Sequence, residues 1–433
     1  MTSAELLPLL HAPSLVATFA IYRGRIVSAQ QFIAQAEAVA ARFPAADHVV
    51  NLCENRYHFA LAWAAACLRV QVTLLPPNQA RGVLDDLAAT YPQQHTVDDE
   101  RIAGVLEGLN ANVASSGDWQ VPADRVVALT FTSGSTGMPQ AHPKTWRTLA
   151  INARIACTEI LGGPGSHLVA TVPAQHVYGL ETSLISAFAA GCAIFDGKPF
   201  FPQDVRAALA AMPEPRTLVT TPTHLRALLA SGIDLPRLNR VVSATAPLGA
   251  ELAQQLEQAW STQVYEIYGC TEAGIMARRR TSAGEQWETF SGGVVVHAAD
   301  GPQYRAPQLP EPVPLADLIE SASDTRFALR GRAADMIKVA GKRTSLQEIT
   351  RHLLAIPGVV DAAVFVPQQD ARPVALVVAP TLTPQQIRMQ LTERIEAVFL
   401  PRPLLRVERL PRNDVGKLPR EALLALWSRH RES

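Results

Sequence analysis

Apolar positions in residues 27 to 75 switch repeatedly between two spacings. Residues 29–43 repeat at helical intervals, 48–52 form a short apolar run, 57–68 are helical again, and 70–75 are strand-like. The alternation returns further on, with a strand at 125–131, a helix near 147–161, a strand at 167–172, a helix at 180–190 and a strand at 193–195. Helices alternating with short apolar runs predict β-α-β units on a largely parallel sheet. Prolines 302, 307, 310, 312 and 314 predict an irregular connection over 301–314. Beyond Gly331 the pattern predicts a helix at 345–354, strands at 362–366 and 374–378, and a helix at 384–397. The expected fold class is α/β: a large N-terminal domain of β-sheets flanked by helices (1–331), a hinge (332–335) and a small α+β C-terminal domain (336–433).

Composition narrows the function classes. Of 433 residues 48% are hydrophobic and 18% charged, as in a globular protein rather than a disordered one. Lys+Arg and Asp+Glu balance at 39 each, so no global field draws nucleic acid or an anionic membrane, and any anion site must be local. Cys53, Cys67, Cys157, Cys192 and Cys270 are scattered without a C-x-x-C pair, which argues against a disulfide framework or zinc site. The apolar stretch 6–22 is broken by Pro8, His11 and Pro13, and 184–195 is too short to span a bilayer. A soluble, cytoplasmic protein without a transmembrane segment is expected.

The candidate chemistry begins where the strand at 125–131 runs into Thr132-Ser133-Gly134-Ser135-Thr136-Gly137. Small hydroxyl residues and glycines after a strand can surround an anion, such as a polyphosphate, with N–H and O–H groups. Such a loop also suits an ordinary turn. It is not the common Gly-Lys-Ser/Thr nucleotide loop, because Met138-Pro139-Gln140 stands where that lysine would be.

Four later segments give the loop a context: Pro173-Ala174-Gln175-His176-Val177-Tyr178-Gly179, Tyr268-Gly269-Cys270-Thr271-Glu272, Gly331-Arg332 through Ile337 to Arg343, and Leu410-Pro411 through Gly416-Lys417-Leu418-Pro419-Arg420. With the loop, in this order, they resemble the adenylate-forming superfamily of acyl- and aryl-CoA synthetases, peptide-synthetase adenylation domains and luciferases. The resemblance implies ATP as substrate. Ser133, Gly134, Ser135, Thr136 and Gly137, with Thr132, would hold the β- and γ-phosphates; Ala244, Thr245 and Ala246 would lie at the adenine and Tyr268 would give it a face. Thr271 would meet the α-phosphate, Glu272 and Thr136 would hold Mg²⁺, and Asp317 and Arg332 would bind ribose and phosphate oxygens. Lys417, on a mobile small domain, would reach the carboxylate and α-phosphate; His176 and Tyr178 would border the acyl pocket, with Thr221, Gly269, Gly274, Ile275 and Met276; Gly341 would lie at the pantetheine tunnel.

The resemblance implies an AMP-forming ligase that makes an acyl-adenylate and passes the acyl group to the phosphopantetheine thiol of CoA or a separate acyl carrier protein. Short ligases that load hydroxybenzoate-like acids in aryl-polyene pigment pathways are similar in size, which favours an aromatic acid. A fatty acyl-CoA or acyl-carrier synthetase is the alternative substrate class. A non-catalytic nucleotide- or carrier-binding homologue is the alternative of another kind. Departures stand beside the match: Gln140 replaces the usual loop lysine, for which Lys144 is a candidate substitute; Ala334 occupies the usual charged hinge position; and Ala244-Thr245-Ala246-Pro247 replaces a glycine pair. Arg278, Arg279 and Arg280, with Arg402, Arg406, Arg409 and Arg412, offer a basic surface for an acidic carrier.

Overall fold

The computed structural model describes residues 5–109, 118–133, 139–332, 335–339, 342–368, 372–413 and 416–431. Among these residues, one long sheet runs in the order Asp317–Ser323, Arg326–Arg332, Trp287–Thr289, Gly274–Arg280, Gln263–Cys270, Arg240–Ser243, Arg216–Thr220, His167–Ala170, Ala193–Phe195, Thr18–Tyr22 and Arg25–Ser28. Its middle, from Gln263–Cys270 to Thr18–Tyr22, is parallel, and its flanks are antiparallel. A second sheet holds Gln94–Val97, His48–Asn51, Val72–Leu75, Val126–Ser133 and Pro139–Thr145. The fold class is therefore the α/β architecture anticipated from the alternating pattern.

Helix Arg56–Leu68 lies between the two sheets, touching His48–Asn51 and Val72–Leu75 on one side and Ala193–Phe195 on the other. Every residue from Arg56 to Cys67 is buried, which explains a sequence apolar on all faces: a helix walled in by two sheets needs no polar stripe. Asn55 starts it, its side chain accepting the N–H groups of Tyr57 and His58.

Several elements depart from the sequence reading. The strand expected to stop at Phe131 continues to Ser133, because it pairs antiparallel with Pro139–Thr145, Ser133 opposite Pro139. Residues 301–314 are irregular only over 306–312: Gly301–Arg305 and Val313–Pro314 join Val294–Ala298 in a small antiparallel sheet. Pro302 and Pro314 lie near strand ends, where a missing N–H costs little, while Pro307, Pro310 and Pro312 lie between the strands. The expected helix 147–161 is α-helical over Trp146–Ala156 and winds into a π-turn at Cys157–Leu161; 180–190 likewise opens with a π-turn at Leu180–Ile185. The last expected helix stops at Thr392.

The C-terminal part has a core of its own. Ile349, Leu353, Ala375, Val377, Ile387 and Leu391 cluster beneath Asp361–Phe365, Val374–Val378 and Leu404–Arg406. Of the expected hinge, residues 333 and 334 lie outside the described residues. Among the described residues no helix is long and apolar enough to cross a membrane.

Trp63→Ala should destabilise the large domain by about 3–5 kcal/mol, because a fully buried indole between two sheets leaves a cavity that neither can close. Urea denaturation measures it; a loss under about 1 kcal/mol would contradict the central placement of this helix.

Candidate functional site

Parallel strands bring their carboxyl ends to one edge, where ligands of open α/β sheets bind. Here that edge collects Thr171 to His176 after His167–Ala170, Thr221 after Arg216–Thr220, Ala244 to Ala246 after Arg240–Ser243, and Thr271 and Glu272 after Gln263–Cys270. An open polar cleft of about 390 Å³ lined by Glu214, Arg216, Arg237, Arg240 and Thr262 lies at the opposite, amino-terminal ends of the same strands, far from every motif singled out in the sequence.

The Tyr268 ring packs against Trp287 and Phe327 at centroid distances of 5.8 Å, and its hydroxyl donates to Asp317 Oδ2 at 2.7 Å. Two residues 49 positions apart thus meet. Asp317 also stands opposite Arg332 in the strand register. Thr245 has φ +78°, a left-handed conformation costly for a β-branched residue and common at functional sites. Its Oγ1 is buried without a hydrogen-bond partner. His176 precedes the short helix Val177–Gly179, its carbonyl accepting the Leu180 N–H at 2.7 Å. Tyr178, expected beside the acyl pocket, directs its hydroxyl at the carbonyls of Thr220 and Val242, 3.0 Å from each, and burial pushes its phenol pKa far up.

The Glu272 carboxylate is 47% exposed, with His142 Nδ1 at 3.7 Å. Among the described residues no three potential metal-ligating side chains cluster. One accessible carboxylate suits Mg²⁺, which keeps waters and takes other oxygens from substrate phosphates. Gly134, Ser135, Thr136, Gly137 and Gly341 lie outside the described residues, as do the side chains of Thr132, Ser133 and Arg332.

Lys144 is not a loop-side cation. It is 1% exposed, and its ammonium turns inward to donate to the carbonyls of Thr271 and, at 2.9 Å, Glu272. Its nearness to Gln140 made it a candidate substitute for the loop lysine, but strand Pro139–Thr145 alternates faces and buries it. Burial pulls its pKa below the usual lysine value, and the Glu181 carboxylate opposes that shift; burial pushes Glu181 above the usual carboxylate range, and Lys144 opposes that. The expected pocket residue Gly274 faces this carboxylate: a Cβ there would lie 2.2 Å from Glu181 Oε1.

Arg278, Arg279 and Arg280 do not form a free basic face. Arg278 pairs with Glu159 at 2.8 Å and Glu288 at 3.3 Å, Arg279 with Glu266 at 2.6 Å, and Arg280 with Glu257 at 2.8 Å. Each arginine has a carboxylate supplied by a neighbouring element, which the sequence could not pair.

The small domain enters the edge through the Lys417 turn. Asn413 N–H donates to the Lys417 carbonyl, and Asn413 Oδ1 accepts the Lys417 N–H, both at 2.9 Å. Gly416, at φ +76°, is buried so closely that a Cβ would lie 3.3 Å from Thr245 Oγ1 and 3.7 Å from Thr221 Oγ1. Arg412 holds this turn, donating to the Gly416 carbonyl at 2.6 Å and forking onto both oxygens of Asp361 at 2.8 and 2.7 Å. Arg226, on the helix that starts beside Thr221, approaches Asp361 from the large domain at 3.6 Å. The sequence reading missed Arg226, Asp361, Asn152, Glu181 and Arg56. For Glu181 a signal existed, a lone charge between Val177 and Ala190; for the others none did.

Asp361→Asn should loosen the Lys417 turn and raise tryptic cleavage after Lys417 about tenfold, the ratio that about 1.4 kcal/mol produces. Unchanged cleavage would show that the Arg412–Asp361–Arg226 cluster does not hold it.

Comparison with known proteins follows the same outline. The family described as AMP-binding enzyme matches residues 11–300, and that described as AMP-binding enzyme C-terminal domain matches 348–417. The chain is 29% identical to a 4-coumarate–CoA ligase of Rhodobacter capsulatus over 53% of this chain and 57% of that one. It is 28% identical to one of Halorhodospira halophila, over 67% and 74%. The first of these relatives is thus matched over little more than half its length. Among solved structures, the anthranilate CoA ligase AuaEII in complex with anthranoyl-AMP shares the fold with a TM-score of 0.80 at 18% identity, over 98% of this chain and 99% of that one. ATP-bound MatB from Rhodopseudomonas palustris does so with a TM-score of 0.77 at 19% identity, over 96% and 97%. With both of its parts matched in order, this chain belongs to the family of AMP-binding enzymes.

Proposed function

We propose that this protein is an AMP-forming acid–thiol ligase. A carboxylate oxygen attacks the α-phosphorus of ATP; the new P–O bond gives an acyl-adenylate, and the bond to pyrophosphate breaks. A thiol sulfur then attacks the acyl carbon, the bond to AMP breaks, and the thiol proton passes to solvent. The observation that carries this reading is the seating of Gly416, the residue before Lys417, against Thr221 and Thr245 at the edge that also bears Tyr268, Asp317, Thr271 and Glu272. A cation supplied by a separate domain stabilises charge that develops only when that domain is closed.

The residues divide the work as follows. Tyr268, with Asp317 fixed on its hydroxyl, presents adenine and ribose contacts, and Ala244, Thr245 and Ala246 line the same side. Thr271 meets the α-phosphate. Glu272, with Thr136, would hold Mg²⁺, which supplies neutralising charge to the phosphates when bound. Thr132 to Gly137 orient the leaving pyrophosphate through N–H and O–H groups, since Gln140 is neutral and Lys144 faces inward. Arg332 reaches ribose and phosphate oxygens, and His176 borders the acid.

The acid is aromatic and hydroxybenzoate-like on this reading. The relatives named as 4-coumarate–CoA ligases and the fold neighbour holding anthranoyl-AMP both pair an aromatic acid with this architecture. The same names support CoA as acceptor, with Gly341 at the pantetheine path. A carrier-protein phosphopantetheine is the other acceptor, though paired Arg278, Arg279 and Arg280 lend it no docking face.

ATP–pyrophosphate exchange with a panel of aromatic and aliphatic acids tests the proposal. Exchange should be strongest with hydroxylated aromatic acids, and Lys417→Ala should lower kcat about 10²–10³-fold with little change in the KM for ATP. ATP binding without exchange for any acid would instead identify a non-catalytic homologue.

A further inference from the structure

The turn from Thr271 to Ile275 has its backbone polar groups held from below by buried side chains. Lys144 takes the carbonyls of Thr271 and Glu272. Asn152 Nδ2 donates to the Ala273 carbonyl and to Glu181 Oε1, each at 3.1 Å, and Gln308 fixes that amide by donating to Asn152 Oδ1 at 2.8 Å. Glu181 Oε2 accepts the Ile275 N–H at 2.9 Å. Lys144, Asn152 and Glu181 are at most 1% exposed. Gly274, at φ +77°, is the one residue type that fits, because any Cβ would strike the Glu181 oxygens at 2.2 and 2.5 Å.

We propose that Lys144, Glu181 and Asn152 are positioning residues that set the Thr271–Glu272 backbone, and thereby aim those two side chains at Mg²⁺ and the phosphates. With its carbonyls drawn inward, the turn has one face committed to the protein, and the Thr271 and Glu272 side chains are left for the ligand. Unpaired buried carbonyls would otherwise rotate the turn toward water. The ammonium supplies two strong donors from one atom, and Glu181 keeps it charged in a dry site. Lys144 and Asn152 belong to consecutive elements, the strand Pro139–Thr145 and the helix Trp146–Ala156, so one stretch of chain props the turn at two points. Glu181 reaches the turn from the π-turn Leu180–Ile185, a local irregularity common beside functional sites.

This inference rests on the ATP-dependent reading above, and calorimetric ATP binding, which needs no acid substrate, separates the two. Wild-type protein should bind ATP more tightly with Mg²⁺ than with EDTA; absence of any ATP binding would end the functional reading itself. Lys144→Met combined with Glu181→Gln removes both charges together, leaving no lone buried ion. This variant should lose about tenfold in affinity for MgATP while ATP in EDTA changes less than about twofold. Asn152→Ala, which leaves Lys144 and Glu181 in place, should show the same selective loss to a smaller degree, and it decides the matter if the double variant does not fold. A folded variant that binds MgATP as wild type does, or that loses affinity equally with and without Mg²⁺, would overturn the positioning role.

Discussion

A parallel strand that ends inside a protein leaves carbonyls with no ladder partner and no water, and the functional edge of this molecule depends on how those carbonyls are paired. Four of the six parallel strands, His167–Ala170, Arg216–Thr220, Arg240–Ser243 and Gln263–Cys270, meet the problem with a buried donor. Arg56 takes the carbonyls of Ala170 and Val172 at 3.2 and 2.6 Å, Tyr178 those of Thr220 and Val242, Lys144 those of Thr271 and Glu272, and Asn152 that of Ala273. Burial lowers Arg56 to about 10, which still leaves it protonated at neutral pH. Because each strand end is held from within, its other side is free for a ligand without further loss of backbone freedom. Preorganised polar groups of this kind stabilise transition states without reorganising.

Charge at the edge follows a related economy. The phosphate loop lacks its own lysine, and the nearby one is spent inside the fold. On the proposed reading positive charge then comes from outside the large domain, with Lys417 on a turn that Arg412 and Asp361 hold and Arg226 meets across the interface. The Arg412 and Asp361 side chains are each 13% exposed, so their attraction is screened less than that of a surface pair.

Much of the fold was legible from spacing alone. Helix Arg56–Leu68 and the strands around it declare themselves by apolar runs, because burial on both faces erases any polar stripe. The small sheet at Val294–Ala298 did not, since Pro302 and Pro314 mask strands whose pairing depends on distant segments. At the site, short motifs marked Thr271, Glu272, Tyr268 and Lys417, whose positions follow from local sequence. The props beneath them were hidden: Lys144 meets the carbonyls of Thr271 and Glu272 across 127 and 128 residues, and Asp361 meets Arg412 across 51, distances no local pattern encodes. The side that Lys144 takes was open in the sequence, because nearness to Gln140 says nothing about which face of a strand a side chain occupies.

The central claim is that a carboxylate attacks the α-phosphate at this edge. A substrate acid labelled with oxygen-18 in its carboxyl group, turned over with ATP and a thiol acceptor, tests it by mass spectrometry. The account predicts AMP carrying one labelled oxygen and unlabelled pyrophosphate, because the P–O bond formed in the first step survives when the thiol breaks the acyl C–O bond. Label in inorganic phosphate with ADP as the nucleotide product, or AMP without label, would contradict it.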